Sequence, residues 1–448
     1  MSLPTPSCGI QAGLLAPSDY AHNFRDAHPA LTPAQAQIDA ERCLYCFDAP
    51  CQTACPTGID VPSFIARIAQ GNVRGAAKAI LEANPLGGMC ARVCPTEVLC
   101  EQACVRNKHE DRTVEIGALQ RFATDAYFAK PGAPLFTRAA ATGKKIAVIG
   151  SGPAGLACAH GLARQGHEVV IFEAREKGGG LNEFGLATYK TAGGFAQQEL
   201  DWLLSIGGIE LKCGQQLGRD FTLDSLLAGF DAVFLGMGLS GVNALGLNEP
   251  ALTGLRDAVD FIAELRQSDP KDVPVGRRVV VIGGGMTAVD AAVQSRLLGA
   301  EEVIMVYRRG PDAMSASTVE QQWAQRHGVT IRHWAAPKEL LSEDGAVTGV
   351  RFARTALQDG KLVEIGEGFT LPADMVLRAI GQTLEDAPGA IALKGGRIAT
   401  DEAGRTSLAR VWAGGDCRHG GRDLTVEAVE HGKQAALSIH ADLMNKGA

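Results

Sequence analysis

Residues 144–174 read KKIAVIGSGPAGLACAHGLARQGHEVVIFEA, an apolar strand, a glycine turn, a helix of small residues and a second apolar strand. Gly150, Gly152 and Gly155 give the spacing G-x-G-x-x-G, which permits a tight turn, close approach of a pyrophosphate to backbone N–H groups and packing of the helix on the strand. Glu173 ends the second strand, where a carboxylate binds adenosine ribose hydroxyls and repels a 2′-phosphate. The stretch predicts a dinucleotide-binding βαβ unit, and a glycine turn without a ligand is the alternative.

A second unit of this kind occupies residues 277–309, RRVVVIGGGMTAVDAAVQSRLLGAEEVIMVYRR, with Gly283, Gly285 and Ala288 in its turn. The pair Arg308–Arg309 stands where the first unit has its acid. Guanidinium groups at this place can pair with a 2′-phosphate, and the alternative is an exposed arginine pair. The contrast predicts FAD in the first unit and NADPH or NADH in the second.

A flavin needs contacts beyond its adenine half, and residues 411–436, VWAGGDCRHGGRDLTVEAVEHGKQAA, are suited to supply them. An apolar strand leads to Asp416, and a helix begins near Thr425. The carboxylate is placed to bind the ribityl hydroxyls, and the positive end of the helix to face the electron-rich edge of the isoalloxazine ring. A turn or helix-cap role for Asp416 is the alternative.

The N-terminal region has two groups of four cysteines, and the first group lies in residues 43–56, CLYCFDAPCQTACP. Its eight clustered thiols are Cys43, Cys46, Cys51, Cys55, Cys90, Cys94, Cys100 and Cys104. Structural zinc usually shows two separated C-x2-C knuckles, and the second group of four has none. In bacterial ferredoxins a proline follows the cysteine that serves the second cluster of a pair, as Pro56 follows Cys55 here. Two [4Fe–4S] clusters are therefore predicted, with zinc as the alternative.

Two helices are predicted between and beside the cysteines. Phe64 and Ile68 share one face of a helix capped by Asp60, and a second helix ends at Asn84. Residues 130–145 contain prolines and glycines with little periodicity and are interpreted as a linker. The remaining cysteines, interpreted as packed or incidental thiols, are Cys8, Cys158, Cys213 and Cys417.

Residues 231–238 and 374–382 have strand patterns and mark the places where the chain passes between the nucleotide-binding domains. The predicted fold class is α/β, with an N-terminal helical double-cluster domain and two Rossmann-like domains, the NAD(P)H domain being inserted into the FAD domain. The predicted segments are 1–140 for the helical iron–sulfur domain, 141–250 and 386–448 for the two parts of the FAD domain, and 251–385 for the NAD(P)H domain.

Composition restricts the class of protein. The chain has 448 residues, 46% of them hydrophobic, and a net charge of −7 without a long basic run, so neither nucleic acid nor an anionic membrane surface is expected as a partner. No apolar run approaches the ~20 residues that cross a bilayer, and the N-terminal sequence lacks a secretory pattern. A cytoplasmic location is expected, where clustered cysteines bind metal rather than form disulfides.

Four stretches, CLYCFDAPCQTACPTGIDVPSFI, NPLGGMCARVCPTEVLCEQAC, IGALQRFATD and GGRDLTVEAVEHGKQAA, closely resemble the electron-input half of dihydropyrimidine dehydrogenase. The match covers nearly the whole chain. In many bacteria of that family this half is a separate subunit, paired with a chain that carries FMN and the pyrimidine site. The small subunit of glutamate synthase shares the plan, but its cysteine block reads differently.

The resemblance implies a set of cofactor-binding residues. One cluster is expected on Cys43, Cys46, Cys51 and Cys104, and the other on Cys55, Cys94, Cys100 and Gln120, with Cys90 as the alternative to Gln120. FAD contacts are expected from Val93, Gly150, Ser151, Gly152, Pro153, Ala154, Gly155, Glu173, Gly179, Leu181, Lys190, Leu217, Gly415, Asp416, Thr425 and Val426. NAD(P)H contacts are expected from Gly284, Gly285, Met286, Thr287, Arg308, Arg309, Ala379, Ile380 and Gly381.

The function that the resemblance implies is oxidation of NAD(P)H and transfer of the electrons to an FMN- and iron–sulfur-containing partner subunit that reduces uracil or thymine. A flavin beside iron–sulfur clusters converts a two-electron hydride into single electrons, and the hydride step requires no acid–base residue in this chain. Some NADPH-using relatives carry a further basic residue near Ser315. This chain has none there, so the choice of coenzyme stays open. The alternatives are the glutamate synthase small subunit and an electron carrier with a degenerate coenzyme site.

Overall fold

The computed structural model describes residues 9–108, 112–249 and 251–445. The helices are α1 (Pro17–Asn23), α2 (Pro33–Glu41), α3 (Pro50–Thr53), α4 (Val61–Ala69), α5 (Val73–Ala83), α6 (Gly87–Val93), α7 (Cys100–Ala103), α8 (Ile116–Ala129), α9 (Pro153–Arg164), α10 (Leu181–Phe184), α11 (Phe195–Leu204), α12 (Leu223–Gly229), α13 (Ala258–Gln267), α14 (Met286–Leu297), α15 (Thr318–Arg326) and α16 (Thr425–Asn445). The strands are β1 (Ile10–Gln11), β2 (Lys145–Ile149), β3 (Glu168–Phe172), β4 (Ile209–Lys212), β5 (Ala232–Leu235), β6 (Gly241–Val242), β7 (Leu255–Asp257), β8 (Val275–Gly276), β9 (Arg278–Gly283), β10 (Glu302–Val306), β11 (Val329–Arg332), β12 (Ala335–Glu343), β13 (Ala346–Gln358), β14 (Lys361–Pro372), β15 (Met375–Ala379), β16 (Gln382–Thr383), β17 (Leu393–Lys394), β18 (Arg397–Ile398) and β19 (Val411–Ala413).

The chain divides into two compact units. The described residues of the larger unit are 28–108, 112–183, 193–240 and 384–445, and those of the smaller unit are 9–27, 184–192, 241–249 and 251–383. Each unit contains one of the two glycine turns. The predicted segment 1–140 is divided between the units, because β1 pairs with β8 in the smaller unit.

The helical part of the larger unit contains the cysteine-rich region. Helix α4 begins after Asp60, whose side chain accepts a hydrogen bond from the Ser63 N–H at 3.1 Å, as the predicted cap requires. Its apolar face buries Phe64, Ile65 and Ile68 against α2, α5 and α8. The predicted helix before Asn84 is α5, which carries its buried residues on one face. Burial of these two apolar faces supplies the core on which the cysteine-bearing turns are mounted.

A five-stranded parallel sheet forms the second part of the larger unit, in the order β19-β5-β2-β3-β4. Helices α9 and α16 pack together beside it, where Gly432 is required because a Cβ there would lie 2.1 Å from the Ala154 carbonyl oxygen. The predicted linker follows α8 without regular structure, and its Ala139 N–H donates to the carbonyl of Arg164 at the end of α9.

The smaller unit is built on a parallel sheet of its own, in the order β11-β10-β9-β15-β7, with a three-stranded antiparallel sheet of β12, β13 and β14. Helices α13 and α14 pack on the parallel sheet through small and branched apolar side chains. The two strand patterns predicted at the crossings, residues 231–238 and 374–382, contain β5 and β15. Among the described residues, no helix has the length and apolar character that crossing a bilayer requires.

Candidate cofactor-binding sites

The first glycine turn lies at the carboxyl edge of the sheet in the larger unit. Gly150 follows β2 with φ +90°, and a Cβ there would lie 2.4 Å from the carbonyl oxygen of Gly236, which follows the neighbouring strand β5. A Cβ at Gly155 would lie 1.9 Å from the Gly150 carbonyl oxygen. Glycine is thus required at both positions for the turn to close and for α9 to pack on it.

A narrow cradle opens beside this turn. A Cβ at Gly180 would lie 2.5 Å from the Cα of Gly152, so only glycine permits the two backbones to approach. The Gly179 N–H donates to Ser151, both to its carbonyl oxygen at 3.2 Å and to its Oγ at 3.1 Å. Helix α9 begins after Gly152, so the end of the helix at which N–H groups lack helical acceptors lies beside this cradle, and this arrangement suits a pyrophosphate.

Glu173 lies next to the turn, as predicted for a ribose-binding acid. Its Oε2 accepts from the Ser151 N–H at 2.9 Å and also from the Ser151 hydroxyl, while its Oε1 accepts from the Arg175 N–H at 2.9 Å. The carboxylate is buried and is held by the turn after β2 and the turn after β3. Its position at the end of the adjacent strand suits a contact with a ribose diol.

The C-terminal part of the larger unit brings a second polar group to this edge of the sheet. Asp416 follows β19, and burial first, then the negative charge of Asp423, raises its pKa to about 6. Helix α16 begins at Thr425, whose hydroxyl bonds to the Asn182 carboxamide at 3.3 Å. Asn182 is 2% exposed, and the only sequence pattern near it is the run of three glycines that ends two residues before it.

The second glycine turn has the corresponding position in the smaller unit. Gly283 ends the central strand β9, with the end of β10 on one side and Ala379 of β15 on the other. A Cβ at Gly283 would lie 2.2 Å from the Ala379 carbonyl oxygen, and one at Gly284 would lie 2.5 Å from the Tyr307 ring. The carboxyl ends of three parallel strands therefore place the glycine turn, the arginine pair and residues 379–381 at one edge, which suits a dinucleotide.

Arg308 and Arg309 follow β10 with exposed side chains, and their backbone is fixed. The Thr355 hydroxyl donates to the Arg308 carbonyl oxygen at 2.8 Å, and the Trp334 N–H donates to that of Arg309 at 3.2 Å. Met286 and Thr287 open α14 just after the turn, and a Cβ at Gly285 would lie 3.2 Å from the hydroxyl oxygen of Ser315. The anchored backbone leaves the two guanidinium groups accessible to a phosphate.

Lys190, for which the resemblance implies an FAD contact, lies in the smaller unit. Its Nζ is 2.8 Å from both Asp290 Oδ1 and Glu320 Oε1. Burial disfavours the charge, but the two carboxylates outweigh burial and raise the pKa of Lys190. This buried ion-pair group fixes residues 184–192 to α14 and α15, and no local pattern in the sequence indicated it.

The four cysteines expected to hold the first cluster surround one cavity, and we call them the first cysteine group from here on. The thiols of Cys43, Cys46, Cys51 and Cys104 all line it, together with apolar residues of α4 and α8. Within the described residues, no three His, Cys, Asp or Glu side chains converge as the ligands of a single ion do. The four thiols instead surround a space, and this donor set fits a [4Fe–4S] cluster.

The second group gathers around α6. The thiols of Cys90 and Cys94 are hydrogen-bonded, and this bond, burial and the nearby thiols of Cys100 and Cys55 raise the pKa of Cys94. Gln120 is buried on α8 and donates its amide N–H to the Gly87 carbonyl oxygen at 2.7 Å, one helical turn before Cys90. The structure thus places Cys90 among the thiols and Gln120 next to them, and the identity of the eighth ligand stays a prediction.

The environment of the thiols fits a group that supplies positive charge. Burial, followed by the charge of Cys104, raises the pKa of Cys51 to about 11. Iron binds the thiolate form and offsets the repulsion between neighbouring sulfurs. Of the isolated cysteines, Cys158 and Cys417 are buried in apolar surroundings, Cys213 is half-buried, and Cys8 lies outside the described residues.

The remaining predicted FAD residues lie in the larger unit. Val93 ends α6, Leu217 is buried in the core below β2 and β5, and Leu181 begins α10. Val426, in the first turn of α16, forms an apolar cluster with Cys90 and with partly buried Cys55 and Cys94. The second cysteine group and a predicted flavin contact therefore meet in one place.

Comparison with known proteins defines the class. Residues 144–432 match the pyridine nucleotide-disulphide oxidoreductase family, and residues 20–131 match the family described as dihydropyrimidine dehydrogenase domain II, 4Fe-4S cluster. The chain belongs to the pyridine nucleotide-disulphide oxidoreductase family and carries this iron–sulfur domain at its N-terminal side. It is an NAD(P)H-dependent flavin and iron–sulfur oxidoreductase.

Two relatives from Escherichia coli strain K12 are similar along nearly their whole length. The NAD-dependent dihydropyrimidine dehydrogenase subunit PreT is 35% identical over 413 residues, covering 92% of this chain and 95% of PreT. The glutamate synthase [NADPH] small chain is 34% identical over 445 residues, covering 93% of each protein. The structure of Mycobacterium tuberculosis FprA in complex with NADPH matches with a TM-score of 0.58 at 19% identity, over 67% of this chain and 85% of FprA. The predicted fold class is confirmed.

Proposed function

We propose that this chain is the NAD(P)H-oxidising subunit of a dihydropyrimidine dehydrogenase, which passes electrons to an FMN- and iron–sulfur-containing partner that reduces uracil or thymine to 5,6-dihydropyrimidines. The similarity to PreT and the match to dihydropyrimidine dehydrogenase domain II support the assignment. Bound FAD would supply the conversion of a two-electron hydride from NAD(P)H into single electrons for [4Fe–4S] clusters.

The observation that carries the proposal is the cluster of Val426 with Cys90, Cys94 and Cys55. This packing supports the proposal because Val426 lies in the first turn of the helix that we expect to face the flavin, and the cysteines include thiols that we expect to hold the second iron–sulfur cluster. The Lys433 ammonium group on the same helix donates to the Thr57 carbonyl oxygen at 3.2 Å, next to the first cysteine block. Both contacts lie within the larger unit and support a short path between the proposed flavin site and the proposed second cluster.

The surface next to the first cysteine group is suited to a partner. Leu44, Tyr45 and Phe47 are exposed in the loop that carries Cys43 and Cys46, and Phe47 is fully exposed. Leu44 also lines the cavity of the first group. Exposed apolar side chains beside a redox site favour docking of an electron-accepting subunit.

The free thiols of the described cysteines fit the reducing cytoplasm, to which we assign the protein.

The glutamate synthase small subunit is the second candidate, because the relative of that name is 34% identical over 93% of both chains. Isolation of the complex distinguishes the two. A partner that contains FMN and reduces uracil with NADH or NADPH supports the proposal, and an amidotransferase partner contradicts it. The chain alone is expected to oxidise NAD(P)H with an artificial acceptor but not to reduce uracil, so uracil reduction without the partner would contradict the division of labour.

A further inference from the structure

A buried carboxyl group links the second cysteine group to the FAD-binding part of the larger unit. Glu199, on α11, is 0% exposed. Its Oε1 accepts from the Gly88 N–H at 2.8 Å and from the Met89 N–H at 3.2 Å, and its Oε2 lies 3.3 Å from the Met89 nitrogen. Both N–H groups belong to the first turn of α6, where no carbonyl of the helix accepts them.

The contact between Glu199 and α6 depends on a glycine at position 88. A Cβ at Gly88 would lie 2.4 Å from the Phe195 ring and 2.8 Å from Glu199 Oε1. Only a glycine allows α11 to come within hydrogen-bonding distance of the α6 backbone. Arg92 stacks on the same Phe195 ring at 3.5 Å, and its guanidinium group pairs with Asp125 at 2.6 Å.

Helix α6 is short and carries several of the residues predicted to contact the cofactors. Cys90 follows directly after Met89, Val93 ends the helix and Cys94 caps it. A displacement of the first turn therefore moves two thiols of the second group and a residue expected to contact FAD. Hydrogen bonding, burial and solvent exposure around the sulfurs set the reduction potential of an iron–sulfur cluster.

We propose that Glu199 is a positioning residue for electron transfer, which holds α6 through the Gly88 and Met89 N–H groups and thereby sets the reduction potential of the second cluster. The inference rests on the proposed electron-transfer function and assigns this chain a residue that neither the cysteine pattern nor the glycine turns indicate. Burial raises the pKa of Glu199 to about 8, although the two N–H donors act to lower it. A neutral acceptor is therefore sufficient to bind the Gly88 and Met89 N–H groups.

Three variants test the proposal in the full chain, reconstituted anaerobically. Glu199→Leu removes both acceptor oxygens at similar volume, Glu199→Gln keeps a neutral acceptor, and Asp201→Asn alters an exposed acid on the same helix as the control. The measurements are hydrogen exchange of residues 87–94, a mediated redox titration of both clusters by electron paramagnetic resonance, and bleaching of the flavin by NAD(P)H.

Glu199→Leu is expected to speed exchange at residues 87–94 by roughly tenfold or more, since two buried N–H groups lose their acceptor. It should shift the midpoint potential of the second cluster and leave that of the first cluster unchanged. Glu199→Gln and Asp201→Asn should match the wild type in all three measurements.

The proposal is overturned if Glu199→Leu retains both clusters with the wild-type midpoint potentials and exchange rates, or if Glu199→Gln is shifted as far as Glu199→Leu. Should Glu199→Leu not assemble, Gly88→Ala tests the same contact from the other helix and must give the same two effects. Failure of the proposed function is separate, since it appears as absent iron or unbleached flavin in the wild type, while hydrogen exchange still reports on Glu199.

Discussion

The two glycine turns have the same frame and differ at two places. Each follows a central parallel strand and begins a buried helix, yet the third turn position is Gly155 in the larger unit and Ala288 in the smaller one. The neighbouring strand ends in Glu173 in the larger unit and in Arg308 and Arg309 in the smaller one. This frame is the one in which a Rossmann-type fold binds a dinucleotide, and we propose that these few side chains select which dinucleotide is bound.

Exchange of the third turn residue should give the largest effect. Gly155→Ala places a methyl group 1.9 Å from the Gly150 carbonyl oxygen, and the backbone shift it forces is expected to cost about 3 kcal/mol or more and to abolish FAD binding. The reciprocal change Ala288→Gly, in which a helix only loses a methyl group, should cost about 1 kcal/mol. Flavin content and urea unfolding check both variants, and a Gly155→Ala protein with full flavin would contradict the packing argument.

The acid at the end of β3 should give the next largest effect. Glu173→Ala leaves the buried N–H group of Ser151 and the part-buried N–H group of Arg175 without this acceptor, at an expected cost of about 2–3 kcal/mol, and removes the proposed ribose contact. Retained flavin per chain is the measurement, with Glu176→Ala, on the exposed loop after the strand, as the control. NAD(P)H affinity of the smaller unit should not change, and a parallel loss there would refute the separation of the two sites.

The arginines should give a smaller and more selective effect. Arg308→Ala is expected to raise the KM for NADPH about tenfold, the value of one hydrogen bond to a charged group, and to change that for NADH by less than about twofold. Arg326→Ala, on an exposed position of α15, is the matched control. Equal losses with both coenzymes would reject a role in binding a 2′-phosphate.

The smallest expected effect concerns one buried position at which the two helices after the glycine turns differ. Helix α9 buries His160 where α14 has Val293, and burial lowers the pKa of His160 to about 3. A histidine whose folded pKa lies below its unfolded value of about 6.5 costs stability as the pH falls from 6.5 toward 3, because the unfolded chain binds the proton. Between pH 6.5 and 5 this amounts to about 2 kcal/mol.

His160→Val should remove this part of the pH dependence. The measurement is the difference in unfolding free energy between the variant and the wild type at each pH, in which acid sensitivity common to both cancels. A difference that does not change between pH 6.5 and 5 would show that His160 is not kept neutral in the folded protein.

Much of this architecture could be predicted from the sequence. The glycine spacing after an apolar strand predicted both βαβ units, and the cap at Asp60 with the apolar face of α4 predicted the helical region. These features are local, because turn and helix geometry depend on neighbouring residues. The cysteine spacing is also a local feature, and it indicated iron–sulfur chemistry without any information on tertiary contacts.

What could not be predicted depends on contacts between distant segments. The pairing of β1 with β8 assigns residues 9–27 to the smaller unit, although they adjoin the cysteine region in sequence. Lys190 and Asp290 are 100 residues apart, and nothing near either one indicates an ion pair. Glu199 is similar, since its acceptor role exists only because Gly88, far along the chain, leaves room for it.

One anaerobic titration tests the central claim, that a single chain accepts electron pairs and releases single electrons. Iron, acid-labile sulfide and FAD are assayed in the purified chain, NADH or NADPH is added while the flavin absorbance is followed, and full reduction is monitored by electron paramagnetic resonance. We expect one FAD that the coenzyme bleaches and two paramagnetic reduced [4Fe–4S] clusters in each chain. A chain that assembles with FAD but without iron, or whose flavin neither coenzyme bleaches, would contradict it.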